Sequence, residues 1–443
     1  MPESKTRRVR RVLSLLALMA IVFLALMSTA GAAGGQKLKP IKEPKVGLPS
    51  AALNPWVVGV WMHPGMFGRD KEAAAAKMKQ TLEAYAAAGI NSLFMMVKST
   101  SGYVYFESDI GVKDPAYDWD FFGLFLEEAR KHSMEVHPWF CVFTEGSLPG
   151  QVREHPEWLI VGPGREMVRS VNPALPEVRA YEIGLMVELA QKSRVDWIHL
   201  DYIRFPCEPT EPYFSHDSRT LKLFREETGI DFNALKARDS GNPYWNVWLE
   251  WNREQVTRFV RELRLELGKT GRQIRISAAV FPDPDNARVL IGQDWAAWAK
   301  EGLVDMLNPM LYTNDLPLFE TLAQRAVAVA GTMTAGASAV APHKESAVSG
   351  SRNTGAVQSP PPASTRAGTS GTQAAKAAPA SAIKVLVCPG IGIITSHNQA
   401  NPAIMLEEIK IARSLGADGV VFFSGGSLKE DFLSALAAEG AKK

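Results

Sequence analysis

The chain has 443 residues, 46% of them hydrophobic and 22% charged, with 49 Lys and Arg against 47 Asp and Glu for a net charge of +2. Residues 1–32 alone carry +4, so the remainder is about −2 and offers no basic patch for nucleic acid. The three cysteines, Cys141, Cys207 and Cys388, match no metal-ligand spacing.

The start reads as a targeting segment. Arg7, Arg8, Arg10 and Arg11 precede the apolar run from Val12 to Met27, and Ala30-Gly31-Ala32 supplies a small-residue cleavage site. The apolar core, about 16 residues, is short for a membrane span. Residues 1–32 are therefore expected to be a signal peptide for export to the periplasm or the cell exterior, with no membrane association after cleavage. An uncleaved anchor is the alternative. Residues 33–54 read as a linker.

Strand-like runs then alternate with amphipathic helices. The first strand is Val57–Met62, followed by a helix with Met78, Leu82 and Tyr85 on one face. The second is Ser92–Val97, followed by a helix with Phe122, Phe125, Leu126 and Ala129 at helical spacing. The third is Glu135–Phe140. A helix from about Pro176 to Ser193 leads to the fourth strand, Asp196–Phe205. Helices near Ser218–Thr228 and Tyr244–Gly268 precede the fifth strand, Arg275–Phe281, and a helix near Asp294–Lys300 follows it. Trp245, Trp248 and Trp251 read as core residues of the long helix. The sixth strand is Asp305–Tyr312, with a helix to about Ala330. The seventh is Lys384–Pro389, with a helix near Pro402–Leu415, and the eighth is Gly419–Ser424 before a last helix. Eight strands alternating with helices predict the α/β class and a (β/α)8 TIM barrel. No glycine-rich phosphate loop follows the first strand, which disfavours a doubly wound open sheet.

Residues 332–382 break the pattern. They are rich in Ala, Gly, Ser, Thr and Pro and have no Leu, Ile, Phe, Trp or Tyr. Such a stretch cannot bury enough apolar surface to offset its ordering entropy. It is expected to be a disordered insertion between helix six and strand seven of one domain, residues 55–331 and 383–443. Cys141 and Cys207 each follow a predicted strand, and Cys388 lies near the end of one. Cys141 and Cys207 could approach to pair, with buried free thiols the other reading.

The fourth strand carries the chemistry. It reads Asp196-Trp197-Ile198-His199-Leu200-Asp201-Tyr202-Ile203-Arg204-Phe205-Pro206, with polar groups crowding its carboxyl end. Barrel enzymes build their sites there. This stretch, with Gly59-Val60-Trp61, His155-Pro156-Glu157-Trp158-Leu159, Val171-Asn172-Pro173 and Pro176-Glu177-Val178-Arg179, resembles the glycosyl-hydrolase-like family 10. Gly292-Gln293-Asp294-Trp295 and Asn308-Pro309-Met310-Leu311-Tyr312 fit the same resemblance. It spans about Val57 to Ser424, apart from the insertion. It implies a barrel glycosidase directed at polysaccharide or peptidoglycan glycan strands. The chain departs from the family pattern in having Tyr202 directly after Asp201, where many relatives carry an acid. It also has Val58 where an Arg often precedes Gly59.

Glycoside hydrolysis needs two carboxyl groups flanking the scissile bond. Asp201 is the first candidate, as nucleophile or transition-state stabiliser. Its partner is expected among Glu145, then Asp283, then Asp315; for Asp285 and Asp315 a turn or helix-cap role is the favoured reading. His199 and Arg204 are expected to orient Asp201. His63, Lys98, His137 and Asn308 are candidate polar contacts to sugar. Trp61, Trp139, Tyr202 and Tyr312 are candidate stacking platforms. The histidines form no recognised metal motif, so no metal or other cofactor is expected. The expected partner is a carbohydrate polymer, with no oligomeric state implied. The rival reading is a glycan-binding barrel that has lost catalysis.

Overall fold

The structure is a computed structural model that describes residues 56–207, 212–232, 241–331 and 384–440. The expected signal peptide, linker and insertion lie outside these residues. Among the described residues no helix is long and apolar enough to cross a membrane.

The strands are β1 Val57–Met62, β2 Ser92–Lys98, β3 Glu135–Cys141, β4 Leu159–Val161, β5 Met167–Val171 and β6 Trp197–Asp201. They continue with β7 Arg275–Val280, β8 Met306–Pro309, β9 Leu386–Val387, β10 Gly390–Gly392 and β11 Gly419–Phe423. Nine form one curled parallel sheet in the order β10-β11-β1-β2-β3-β6-β7-β8-β9. Helices surround it, as expected for strands that run on apolar on both faces. Every residue of β2, Ser-Leu-Phe-Met-Met-Val-Lys, is buried.

The sheet is open rather than the closed eight-stranded barrel expected from the sequence. The expected seventh strand, Lys384–Pro389, is cut to Leu386–Val387. This short β9 pairs with β8, and a separate strand just beyond the expected end, β10, pairs with β11. Pro389 has no N–H to carry a ladder through the break. Backbone bonds still tie the break to both sides: Cys388 N–H to Leu307 O (2.9 Å) and Leu311 N–H to Gly390 O (3.0 Å) on one, Val421 N–H to Pro389 O (2.9 Å) and Asp418 N–H to Val387 O (2.8 Å) on the other.

Apolar side chains divide between two cores. Trp61, Phe94, Trp139, Trp197, Met306 and Val421 fill the inside of the curl. The larger core lies between sheet and helices. Met78, Leu82 and Tyr85, the Phe122 face, and Val256, Phe259 and Leu263 are all buried there, as their spacing predicts. Trp248 and Trp251 are buried with them, and Trp245 packs against them half-buried. Helix starts are capped by short acids. Asp70 accepts from Ala73 N–H (2.8 Å) and Asp120 from Gly123 N–H (2.9 Å).

Three local features escaped the sequence reading. β4 and β5 form an antiparallel hairpin beside the main sheet. A short helix, Pro284–Leu290, occupies the loop after β7. β6 ends at Asp201 instead of Phe205, because Tyr202 takes φ 49° and leaves the extended conformation. The three cysteines are free. Cys141 and Cys388 are buried free thiols, one of the two readings the sequence left open, and Cys207 is exposed and forms no disulfide with Cys141.

Candidate active site

A cavity of about 430 Å³ opens at the carboxyl ends of the main-sheet strands, and Asp201 lines it. β6 delivers Asp201 to the rim, and β3 and β7 flank β6, so their following loops face the same end. Three N–H donors converge on the Asp201 carboxylate. Trp139 Nε1 reaches Oδ2 at 3.2 Å, while Tyr202 N (2.6 Å) and Arg204 Nη1 (3.1 Å) reach Oδ1. Such an array stabilises negative charge. The turn at Tyr202 brings its own amide onto the acid and starts the bend that returns Arg204. The Arg204 guanidinium then stacks over the Tyr202 ring at 4.3 Å and the Phe281 ring at 5.0 Å.

The walls are aromatic. Trp61, Trp139, Tyr202 and Tyr312 line the cavity, as their positions predict. Tyr105 and Phe423 line it as well and were missed. Phe423 ends β11 and stacks on Tyr312 at 5.3 Å. Its place at a strand end was the available signal; Tyr105, in a loop, offered none. His63 lines the cavity too, edge-on to Trp139 at 5.0 Å. Burial lowers the His63 pKa from 6.5, and the Asp201 charge partly opposes this. Burial raises the pKa of Tyr202 and Tyr312, and the nearby Asp201 charge adds to the shift.

The remaining candidates lie elsewhere. Glu145 is fully buried, with Oε1 2.7 Å from Lys98 Nζ, which also meets Glu182 at 3.0 Å. Lys98 Nζ donates further to the carbonyls of Cys141 (3.1 Å) and Val142 (2.8 Å). Burial alone would lower the Lys98 pKa, but the two carboxylates outweigh it and raise it. Burial raises the Glu182 pKa well above the usual range; Lys98 opposes this and Glu145 adds to it. Gly102, at φ 92°, leaves no room for a Cβ beside the Glu145 carboxylate. Glu145 and Lys98 thus form a sealed ion cluster and are not part of the cavity lining. The signal for the third member was a Glu on the apolar face of the helix Pro176–Ser193, beside Val178, Tyr181 and Leu185.

Asp283 caps the helix Pro284–Leu290 through Asn286 N–H (2.9 Å) and pairs with Arg325. Asp285 pairs with the same arginine at 2.7 Å. Asp315 accepts from Leu318 N–H at 3.1 Å in an exposed helix start. None of the three lines the cavity.

His199 does not orient Asp201. It accepts from Trp61 Nε1 at 2.9 Å, and its Nδ1 meets Ser277 Oγ at 2.9 Å. His137 Nδ1 meets the same hydroxyl at 3.0 Å. Both imidazoles are fully buried. Burial lowers His199 to about 3 and drives His137 well below 6.5, with the neighbouring His199 adding to the latter. Trp61 donates to His199 Nε2, so the His199 proton sits on Nδ1 and Ser277 donates onward to His137. Asn308 is buried and donates to Cys388 O at 3.1 Å, a tie between β8 and the broken strand.

Several residues of the family-like motifs prove to be braces. Asn172 donates to Thr220 Oγ1 (2.6 Å), and Arg179 binds Glu262 (2.8 Å) and the carbonyl of Pro173 (2.9 Å). Gln293 accepts from Phe281 N–H at 2.8 Å and secures the end of β7.

A curled parallel sheet with a carboxylate in an aromatic cavity at its strand ends is a glycoside-hydrolase type of architecture. Residues 56–339 match the family described as Glycosyl hydrolase-like 10, and the chain belongs to that family. It is 21% identical over 257 residues to glycosyl hydrolase YngK of Bacillus subtilis (strain 168), covering 51% of this chain and 46% of that protein. It is 23% identical over 259 residues to glycosyl hydrolase DigH of Escherichia coli (strain K12), covering 51% of this chain and 55% of that protein. The chain thus spans about half the length of the curated relatives it matches. Among solved structures, the PgaB (BpsB) glycoside hydrolase domain of Bordetella bronchiseptica superposes with a TM-score of 0.61 at 12% identity. That match covers 86% of this chain and 98% of the domain. The catalytic domain of a β-amylase from Paenibacillus polymyxa gives 0.54 at 11% identity, covering 88% and 98%. At these identities the likeness is one of fold.

Proposed function

We propose that the chain hydrolyses O-glycosidic bonds in a polysaccharide or a peptidoglycan glycan strand, with Asp201 facing the reacting sugar. The observation that carries this reading is the placement of Asp201. It is nearly buried, held by three N–H donors, and set in a cavity walled by aromatic rings. Aromatic faces suit the apolar faces of sugar rings. A fixed carboxylate stabilises the positive charge of an oxocarbenium-like transition state without reorganising as it forms. The basic and then apolar start of the chain, residues 1–32, supports export of the enzyme.

A second reading has one observation in its favour. Asp201 is the sole carboxylate among the described residues that line the cavity. A glycan-binding protein without hydrolytic activity would keep the aromatic walls and need no second acid. Incubating the chain with peptidoglycan glycan strands and a polysaccharide panel, and measuring new reducing ends, separates the two. Hydrolysis that is lost in Asp201→Asn supports the enzyme. Saturable binding without new reducing ends supports the binding protein.

A further inference from the structure

We propose that His63 is the proton carrier of the Asp201 cavity, donating to the leaving glycosidic oxygen and then accepting from the incoming water. This rests on the glycosidase reading above and supplies the acid that the carboxylates do not.

The case begins with position. His63 directly follows β1, and its imidazole lines the same cavity as Asp201. Trp139 connects the two residues. Its ring meets the His63 edge at 5.0 Å, while its N–H binds Asp201 at 3.2 Å. Phe423 approaches His63 from another side at 6.1 Å, so two rings restrict the imidazole. No described residue hydrogen-bonds that imidazole, which leaves both ring nitrogens for a ligand.

Elimination points the same way. His137 and His199 are sealed and already engaged by Ser277 and Trp61. Glu145 is held by Lys98, and Asp283 by Arg325. The cavity phenols are displaced upward by burial, Tyr105 to about 12. His63 is the one imidazole among the groups that line the cavity, the side-chain type used for proton transfer near neutrality, here with its pKa lowered by burial.

The step balances. The bond from the anomeric carbon to the leaving oxygen breaks as the His63 imidazolium proton moves to that oxygen. The Asp201 anion stabilises the cationic sugar. Water then bonds to the anomeric carbon and passes its proton to the neutral imidazole. One water is consumed, two hydroxyls form, and both side chains return to their starting charge.

The charged and titratable groups that share the cavity with His63 are Asp201 at the end of β6, Tyr202 and Arg204 after it, Tyr312 after β8, and Tyr105 after β2. Asp201 favours the imidazolium and burial disfavours it more, so the donor form is populated on the acid side of 6.5. Accordingly, kcat/KM should fall as pH rises through the His63 pKa.

The test uses the full chain, His63→Gln and Asp201→Asn. The substrates are peptidoglycan glycan strands or the polysaccharide found to be cleaved, and a 2,4-dinitrophenyl glycoside of the same sugar. That leaving group departs without a proton. His63→Gln should slow polymer hydrolysis ~100-fold or more and the activated glycoside less than ~10-fold, and should abolish the fall on the alkaline side. Equal losses on both substrates, or an unchanged polymer rate, overturn the assignment. A wild-type chain inactive on every substrate overturns the glycosidase reading and this one with it. A variant pair in which Asp201→Asn is inactive and His63→Gln is normal overturns this one alone. A readout independent of turnover is the His63 titration followed by NMR. Asp201→Asn should lower its pKa further, and an unmoved titration also overturns the coupling.

Discussion

Trp139 donates its indole N–H to the Asp201 carboxylate across 3.2 Å. A cavity wall is therefore also a hydrogen-bond partner of the acid, and the two cannot move independently. The Asp201 position is set by β6 for the backbone, by Trp139 on one oxygen, and by Arg204 and the Tyr202 amide on the other.

Asp201→Asn removes the charge and keeps the shape. Hydrolysis of the cleaved glycan should fall by at least ~10²-fold, as expected for loss of an electrostatic group acting in the transition state. Reducing-end assays measure the rate, and circular dichroism checks that the fold persists. Near-normal turnover in a folded variant would remove Asp201 from the reaction.

The Lys98–Glu145–Glu182 cluster is predicted to act on stability. Lys98→Met leaves two buried carboxyl groups without their cation and should cost about 3–5 kcal/mol in urea unfolding. Adding Glu145→Gln should restore part of that loss. If Glu145→Gln instead spares activated glycosides while abolishing polymer hydrolysis, Glu145 is the general acid after all.

His199 links stability to pH. Its folded pKa of about 3 lies below the unfolded value of 6.5, so the unfolded chain binds the extra proton between those values. Its contribution is intact above pH 6.5 and is lost as pH falls toward 3. The slope is at most ~1.4 kcal/mol per pH unit for one proton. Denaturation of wild type and His199→Gln between pH 7 and pH 4 should show a shallower slope in the variant; parallel slopes would contradict the burial of a neutral His199.

Glu408 works in the opposite direction. It lies on the buried face of the helix Pro402–Ser414 beside Met405 and Ile409, with neither carboxyl oxygen paired among the described residues. Burial raises its pKa to about 8. The folded chain therefore retains a proton that the unfolded chain releases above about 4.5, and stability declines from there as pH rises to about 8. Glu408→Leu should stabilise the protein by about 1–3 kcal/mol, more at pH 8 than at pH 5. Thermal melts at the two pH values check this, and a gain that is independent of pH would refute the ionisation argument.

The periodic parts of the fold were legible because burial imposes a period. Met78, Leu82 and Tyr85 fall on one helix face by their spacing, and the apolar run Ser92–Val97 reads as a strand, which the structure extends by one residue to Lys98. Asp201, Trp61 and Tyr312 were legible because strand ends converge on one rim. The partner acid was not, because a loop carboxylate looks the same in sequence whether it faces a cavity, a lysine or a helix start. Glu145 met Lys98, and Asp283 met both the start of Pro284–Leu290 and Arg325. The end of β6 is not legible in the sequence because Tyr202 adopts a left-handed conformation that no composition rule assigns to tyrosine.

The pairing of β1 with β11 has a consequence for biosynthesis. Val57 lies opposite Gly419 and Trp61 opposite Phe423, so among the described residues the first strand made waits for the last. At ribosomal rates of roughly 5–20 residues per second, this apolar edge remains unpaired for roughly 20–70 s. A bare strand edge of that kind templates intermolecular association. Chains truncated before Gly419 should yield aggregates, and holdase chaperones should bind the growing chain through Val57–Met62 until β11 has been made.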